Sequence, residues 1–170
     1  MQEVSFRIRF TTPCLGSVRP PSDADPLVAN TMMKDADQRV IFMNSWWRAA
    51  FIKASRSISI AQRDVAKIEF DPIIDGPLSI YERIWANTKA PKPIDRHGVT
   101  RHEAFSANAV VVCRALVPNG LSKTIFRRLL ETVGSFIGIS PYGHQHGFGR
   151  FVIEDIKYGS RAGPDNPNAG

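Results

Sequence analysis

Cysteine is scarce: Cys14 and Cys113 are the only two in 170 residues. Two thiols set in apolar stretches exclude a disulfide framework and, without help from histidine, a zinc knuckle; buried, reduced thiols are the expectation. Long apolar runs are missing as well. Nothing approaches the roughly 18–20 residues that a membrane-spanning helix needs, and the opening MQEVSFRIRF carries charge every few residues, unlike a secretory signal. A cytoplasmic setting is therefore expected. Also absent are a phosphate-loop lysine motif, a dinucleotide fingerprint, a Gly-x-Ser-x-Gly elbow and a metalloprotease motif, which sets aside the commoner enzyme classes. Asp23, Asp25, Asp35 and Asp37 lack calcium-loop spacing and read as turn and capping residues. His97 and His102 stand alone as a His-x4-His pair, too little for a metal site. No cofactor is expected.

What the chain does have is positive charge. The formal net charge is +6 and the pI about 9.7, with basic residues spread along the sequence instead of gathered in a tail. That balance suits a polyanionic partner, either nucleic acid or an acidic protein face. The length fits one domain that can bury its own core.

The pattern of apolar residues predicts an α+β fold. Val4, Phe6, Ile8 and Phe10 alternate with Ser5, Arg7 and Arg9, the period of a strand with one buried face. A proline- and aspartate-rich loop then runs to about Asp37. Asn44 or Ser45 is placed to cap a helix whose Trp46, Trp47, Ala50, Phe51 and Ala54 share a face, so at least one tryptophan belongs to the core instead of stacking on a base. Val65–Phe70 reads as a short strand. Ala109–Val117 is nearly all apolar, as a central strand would be, and Pro118-Asn119-Gly120 stops it. Ser122 is placed to cap a helix carrying Ile125, Phe126, Leu129, Leu130, Val133 and Phe136 at helical spacing. A last strand covers about Arg150–Ile156.

Strand, helix, strand, strand, helix, strand is the ferredoxin-like βαββαβ order, an antiparallel sheet with two helices on one face. The expected domain is 1–158, with a disordered tail at 159–170. A long insertion between strands 2 and 3, about 71–107, is read as a proline-broken basic arm around Lys89, Lys92, Arg96 and Arg101, with room for a short helix in IIDGPLSIYERIW.

The most distinctive stretch joins the second helix to the last strand: Gly138-Ile139-Ser140-Pro141-Tyr142-Gly143-His144-Gln145-His146-Gly147-Phe148-Gly149-Arg150. Its glycines permit positive φ and close approach of a phosphate chain, and its histidines, Tyr142 and Arg150 offer donors and stacking planes. His144 and His146, two apart, point the same way in an extended loop and are candidate acid and base for RNA cleavage; hydrogen bonds to the loop's own carbonyls are the plainer role. Arg7 and Arg9 share the outward side of the first strand, and Arg114 interrupts the third. These arginines are candidates for phosphate contacts, against the bland alternative of solvated surface charge.

The loop GHQHGFGRF, placed between second helix and last strand, resembles the glycine-rich signature of the repeat-associated mysterious protein (RAMP) superfamily, the ferredoxin-like proteins of CRISPR ribonucleoproteins. TTPCLGS after the first strand is similar to that family's Thr-Pro and Gly-Ser element. VIFMNSWWRAAFIKAS stands where many relatives carry a proline- and glycine-containing helix start, with Met43-Asn44-Ser45 in its place. The resemblance implies RNA binding through the sheet face and loops, with Arg7, Arg9, Arg114, Gly143, His144, His146, Gly147, Gly149 and Arg150 as the contact set. RAMP nucleases place a catalytic histidine near the first helix, where this chain has none. Three functions stay open: a noncatalytic RNA-binding subunit of a CRISPR-type or mobile-element ribonucleoprotein, a metal-independent endoribonuclease using His144 or His146, and a protein-interaction module.

Overall fold

In the computed structural model, the alternating residues form β1 (Gln2–Phe10), with Val4, Phe6, Ile8 and Phe10 all buried. The structure describes residues 1–18, 28, 30–74, 76–86, 97–139 and 147–159, with 84–86 and 97–98 as backbone. β1 lies between two antiparallel neighbours, β9 (Val110–Val117) and β10 (Phe151–Tyr158), and the two-residue β5 (Glu69–Phe70) pairs with the far side of β9. The sheet order is therefore β10-β1-β9-β5.

Helices α1 (Asn44–Ser57) and α3 (Lys123–Thr132) pack on the face of this sheet that carries the buried residues. The short α2 (Gln62–Val65) follows α1, and α3 runs on into a π-helical turn, Val133–Ile137. Aromatic rings join the layers. Phe6 meets Trp47 at 5.7 Å and Phe126 at 6.1 Å, both edge-on, while Trp47 stacks on Phe70 at 4.8 Å. Such pairs add about 0.5–1.5 kcal/mol each to their burial. Along the chain the elements of this body follow as β1, α1, β5, β9, α3, β10, an α+β arrangement.

Two smaller antiparallel sheets complete the described structure. β7 (Ser79–Ala86) and β8 (His97–Phe105) form a long ribbon, and β2 (Cys14–Leu15) pairs with the root of β8. β3 (Met33–Lys34), β4 (Val40–Ile41) and β6 (Ile73–Ile74) make the third. Phe105 at the end of β8 stacks on Phe10 at 5.7 Å, which anchors the ribbon to the main core.

Several expectations are corrected. IIDGPLSIYERIW holds β6 and much of β7 instead of a helix, because Ile80, Glu82 and the residues paired with them satisfy one another across a ribbon: Glu82 opposes Arg101 and their side chains pair at 2.8 Å. Lys89, Lys92 and Arg96 lie outside the described residues. The strand expected at Val65–Phe70 shrinks to Glu69–Phe70, since Val65 closes α2. Neither Asn44 nor Ser45 caps α1: the cap position is Met43, without a side-chain bond. Ser122 does cap α3, accepting from the Ile125 amide at 3.2 Å. Of the two tryptophans, Trp47 is fully buried and Trp46 half-buried against Phe42. Phe136, expected on the apolar stripe of α3, is 73 % exposed. Cys14 and Cys113 are buried and unbridged, and burial pushes both thiols far above their ordinary pKa.

Candidate nucleic-acid interface

The open face of the main sheet is set by register. Arg7 lies opposite Val112 on β9, Ser5 opposite Arg114 and Arg9 opposite Val110, so Arg7, Arg9 and Arg114 share the face turned away from the helices. A register shift beside Arg7 and Ile8 places both Glu154 and Asp155 of β10 among the exposed residues. With Glu3, Glu69 and Lys157, this face holds as many acidic as basic side chains, interspersed with half-exposed Val110, Val112, Leu116 and Val152. Arg9 is engaged there: its Nε donates to Glu154 at 2.9 Å and one Nη to Asn108 at 3.4 Å. Arg7 and Arg114 form no side-chain ion pair with a described residue. A depression beside Arg114 is lined by Glu3, Glu69, Asp71 and Leu116.

At the end of β1 the chain builds a clasp. The Thr12 hydroxyl donates to the Gly147 carbonyl at 2.7 Å and accepts from the Arg150 amide at 3.0 Å. The Gly149 amide donates to the Pro13 carbonyl at 2.7 Å, and the Thr11 amide to the Arg150 carbonyl at 2.8 Å. Across the base of the loop, Ile139 N–H donates to Gly149 O at 2.9 Å, and the Cys14 thiol donates to Ile139 O at 3.2 Å. Gly147 and Gly149 take φ of +74° and +69°, conformations that side chains with a Cβ resist. The two segments most like the RAMP signatures, far apart in sequence, thus meet at one place.

Arg150 sits in the middle of the clasp. It is half-buried, its guanidinium carbon would lie 3.9 Å from a Cβ on Gly147, and its Nε is buried without a hydrogen-bond partner among the described residues. Val152, two residues on, stands opposite Arg9, so the clasp and the sheet face meet at one end of β1. Phe148 reaches the other way, its ring edge-on to Tyr81 of β7 at 5.6 Å. Gly143, His144 and His146 lie outside the described residues.

The Thr-Pro and Gly-Ser element has a second support. A Cβ on Gly16 would fall 2.4 Å from the Thr31 backbone, so only glycine permits that approach. The Gly16 carbonyl accepts from Nδ1 of the buried His102 at 2.8 Å. Burial holds the His102 pKa below its ordinary value, with the Arg83 charge adding to the shift and the Gly16 bond opposing it. Thr12, Phe148 and His102 were not expected as site residues; their roles depend on contacts between segments distant in sequence. Among the described residues no group of histidine, cysteine and carboxylate side chains is arranged to hold a metal ion, and no helix is long and apolar enough to cross a membrane.

These elements define an α+β fold that has a counterpart among solved structures. No protein-family profile matches the chain, and no curated protein matches it in sequence. Among solved structures, a chain of the cryo-EM structure of the Type III-B Cmr-beta bound to cognate target RNA matches with a TM-score of 0.67 at 9% sequence identity. The match covers 92% of this chain and 60% of that one, so this chain spans about three fifths of the length of the chain it matches.

Proposed function

We propose that this chain is a noncatalytic RNA-binding protein of RAMP type, a ferredoxin-like domain that works in the cytoplasm with other subunits of a ribonucleoprotein. The observation that carries the reading is the clasp. Thr12 ties the Thr-Pro element to the glycine-rich loop and holds Arg150 where a buried guanidinium nitrogen has no acceptor among the described residues. The rest of this half-buried guanidinium can donate to a phosphate oxygen with charge assistance, and the half-buried Gly147 lets a strand approach the backbone. Arg7 and Arg114 extend the site along the sheet. Arg9 joins by exchanging its exposed partner Glu154 for phosphate, because a surface ion pair is worth only about 0–1 kcal/mol. The likeness to a protein solved with target RNA supports the same class of ligand.

The test is retention of labelled single-stranded RNA in chelator across a salt series. The expected result is binding without cleavage. Arg7→Ala and Arg150→Ala should each weaken binding and make the log-affinity against log-salt slope shallower by roughly 0.7. A chain that binds no RNA at low salt refutes the proposal, and chelator-resistant cleavage refutes its noncatalytic part.

A further inference from the structure

The positive charge of this molecule is not where the sheet face is. Residues 44–67 and 123–137, which form α1, α2, α3 and the π-helical turn, hold eight basic residues against Asp64 and Glu131. That net +6 equals the formal charge of the whole chain, so everything outside these two segments sums to zero. Their arginines are all exposed, as are Lys67 and Lys123. Arg127 pairs with Glu131 at 2.9 Å, while Arg56 and Arg128 have no ion-pair partner among the described residues. The electrostatic footprint of a polyanion partner therefore lies on the helical side.

An aromatic ring is presented on that same side. On a regular helix Phe136 would continue the line of Leu129 and Val133, both fully buried. The π-helical turn prevents this: Gly138 N–H bonds back to Val133 O at 2.7 Å, and the wider turn brings Ile137 to 7 % exposure while Phe136 swings out to 73 %. The turn is pressed against β10, since a Cβ on Gly134 would lie 2.4 Å from the Phe151 carbonyl oxygen. π-bulges of this kind are frequent at functional sites. Arg128 stands eight residues before Phe136, about 12 Å along the helix axis, with exposed Thr124, Glu131 and Ser135 marking the same outer side.

We infer that the outer surface of the helical layer is a second RNA-contact surface, in which Phe136 stacks on an unpaired base, Arg128 holds a phosphate of the same strand, and Arg56 meets that strand farther along, at the other end of the layer. This rests on the RNA-binding reading above and adds a face opposite the sheet. Base–aromatic stacking with arginine nearby is how single strands are held without sequence preference. An acidic protein face would meet the charge but has no need of an outward phenylalanine ring.

The experiment is a fluorescence-anisotropy titration of the full chain with a short labelled single-stranded RNA across a salt series. Phe136→Ala and Phe136→Leu should each weaken binding roughly five- to a hundredfold and leave the salt slope unchanged. Phe136→Trp should bind as the parent does. Arg128→Gln and Arg56→Gln should each make the slope shallower by roughly 0.7. Thermal melts of the same variants establish that they fold. Parent-like binding by Phe136→Leu overturns the stacking role, and displacement of RNA by polyglutamate at equal charge assigns the layer to an acidic protein instead. If Arg150→Ala loses affinity while every helical-layer variant keeps it, this inference falls and the clasp reading stands. If the parent chain binds no RNA, both fall.

Discussion

Replacing Thr12 by valine is the sharpest perturbation of the clasp, because the side chain keeps its shape and loses only the hydroxyl. That hydroxyl makes two bonds, to Gly147 O at 2.7 Å and from Arg150 N at 3.0 Å. Each bond is worth about 0.5–1.5 kcal/mol net, and a buried partner left unsatisfied costs about 1–3 kcal/mol. Both partners are half-buried, so water takes over part of the loss, and the expected total is about 1–3 kcal/mol. For a domain of this length each kcal/mol lowers Tm by about 2–4 °C. Urea or thermal unfolding reads the stability, and hydrogen exchange at the amides of Gly149 and Arg150 reads the loosening locally. RNA affinity should fall with it, because the Arg150 amide loses its anchor and only the bonds its carbonyl accepts from the Thr11 and Thr12 amides remain to hold that residue's backbone. Thr12→Ser should restore all three. If Thr12→Val matches the parent in stability, exchange and RNA affinity, the clasp does not organise the site.

Leu130 is fully buried beneath the sheet, so Leu130→Ala should destabilise by about 2–5 kcal/mol in urea unfolding; a change below 1 kcal/mol, on the order of a surface substitution, would contradict that placement. His102 supplies a pH dependence. Its pKa is lowered in the folded state, chiefly by burial, against about 6.5 unfolded. Above that value both states are neutral and stability is unaffected; as pH falls below it the unfolded chain takes up the proton first, so stability drops by up to about 1.4 kcal/mol per pH unit until folded His102 also protonates. His102→Gln should flatten the melting temperature between neutral and mildly acid pH relative to the parent, and identical profiles would refute the assignment.

The parts of the fold legible in sequence are those in which a local pattern and its tertiary surroundings agree. Val4, Phe6, Ile8 and Phe10 alternate because one face of β1 meets helices, and the same alternation writes the strand. Ser122 reads as a cap and is one, because capping is a bond between near neighbours. The ribbon at β7 and β8 was illegible because its polar residues are satisfied across strands, as Glu82 is by Arg101, and no window of sequence displays that pairing. Phe136 misled for a related reason: helical spacing assumes a constant period, and the close approach of Gly134 to Phe151 belongs to a turn that breaks it. For the site, the glycine-rich loop and Arg150 stood out by composition, whereas nothing local marked Thr12 as the group that holds them or His102 as the partner of Gly16.

The central position of β1 governs how this chain can fold as it is made. Val4 finds its sheet partners only at Ala115 and Tyr158, so the strand at the middle of the sheet is synthesised more than a hundred residues ahead of either neighbour. Translation at about 5–20 residues per second leaves both edges of that strand unpaired for several seconds at least. Loop closure over such separations must precede any reward from pairing, which makes the assembly of this sheet a slow, late event. During that interval the unpaired edges of β1 are open to the same strand of neighbouring nascent chains, and yield on overexpression should depend on how quickly β9 follows it.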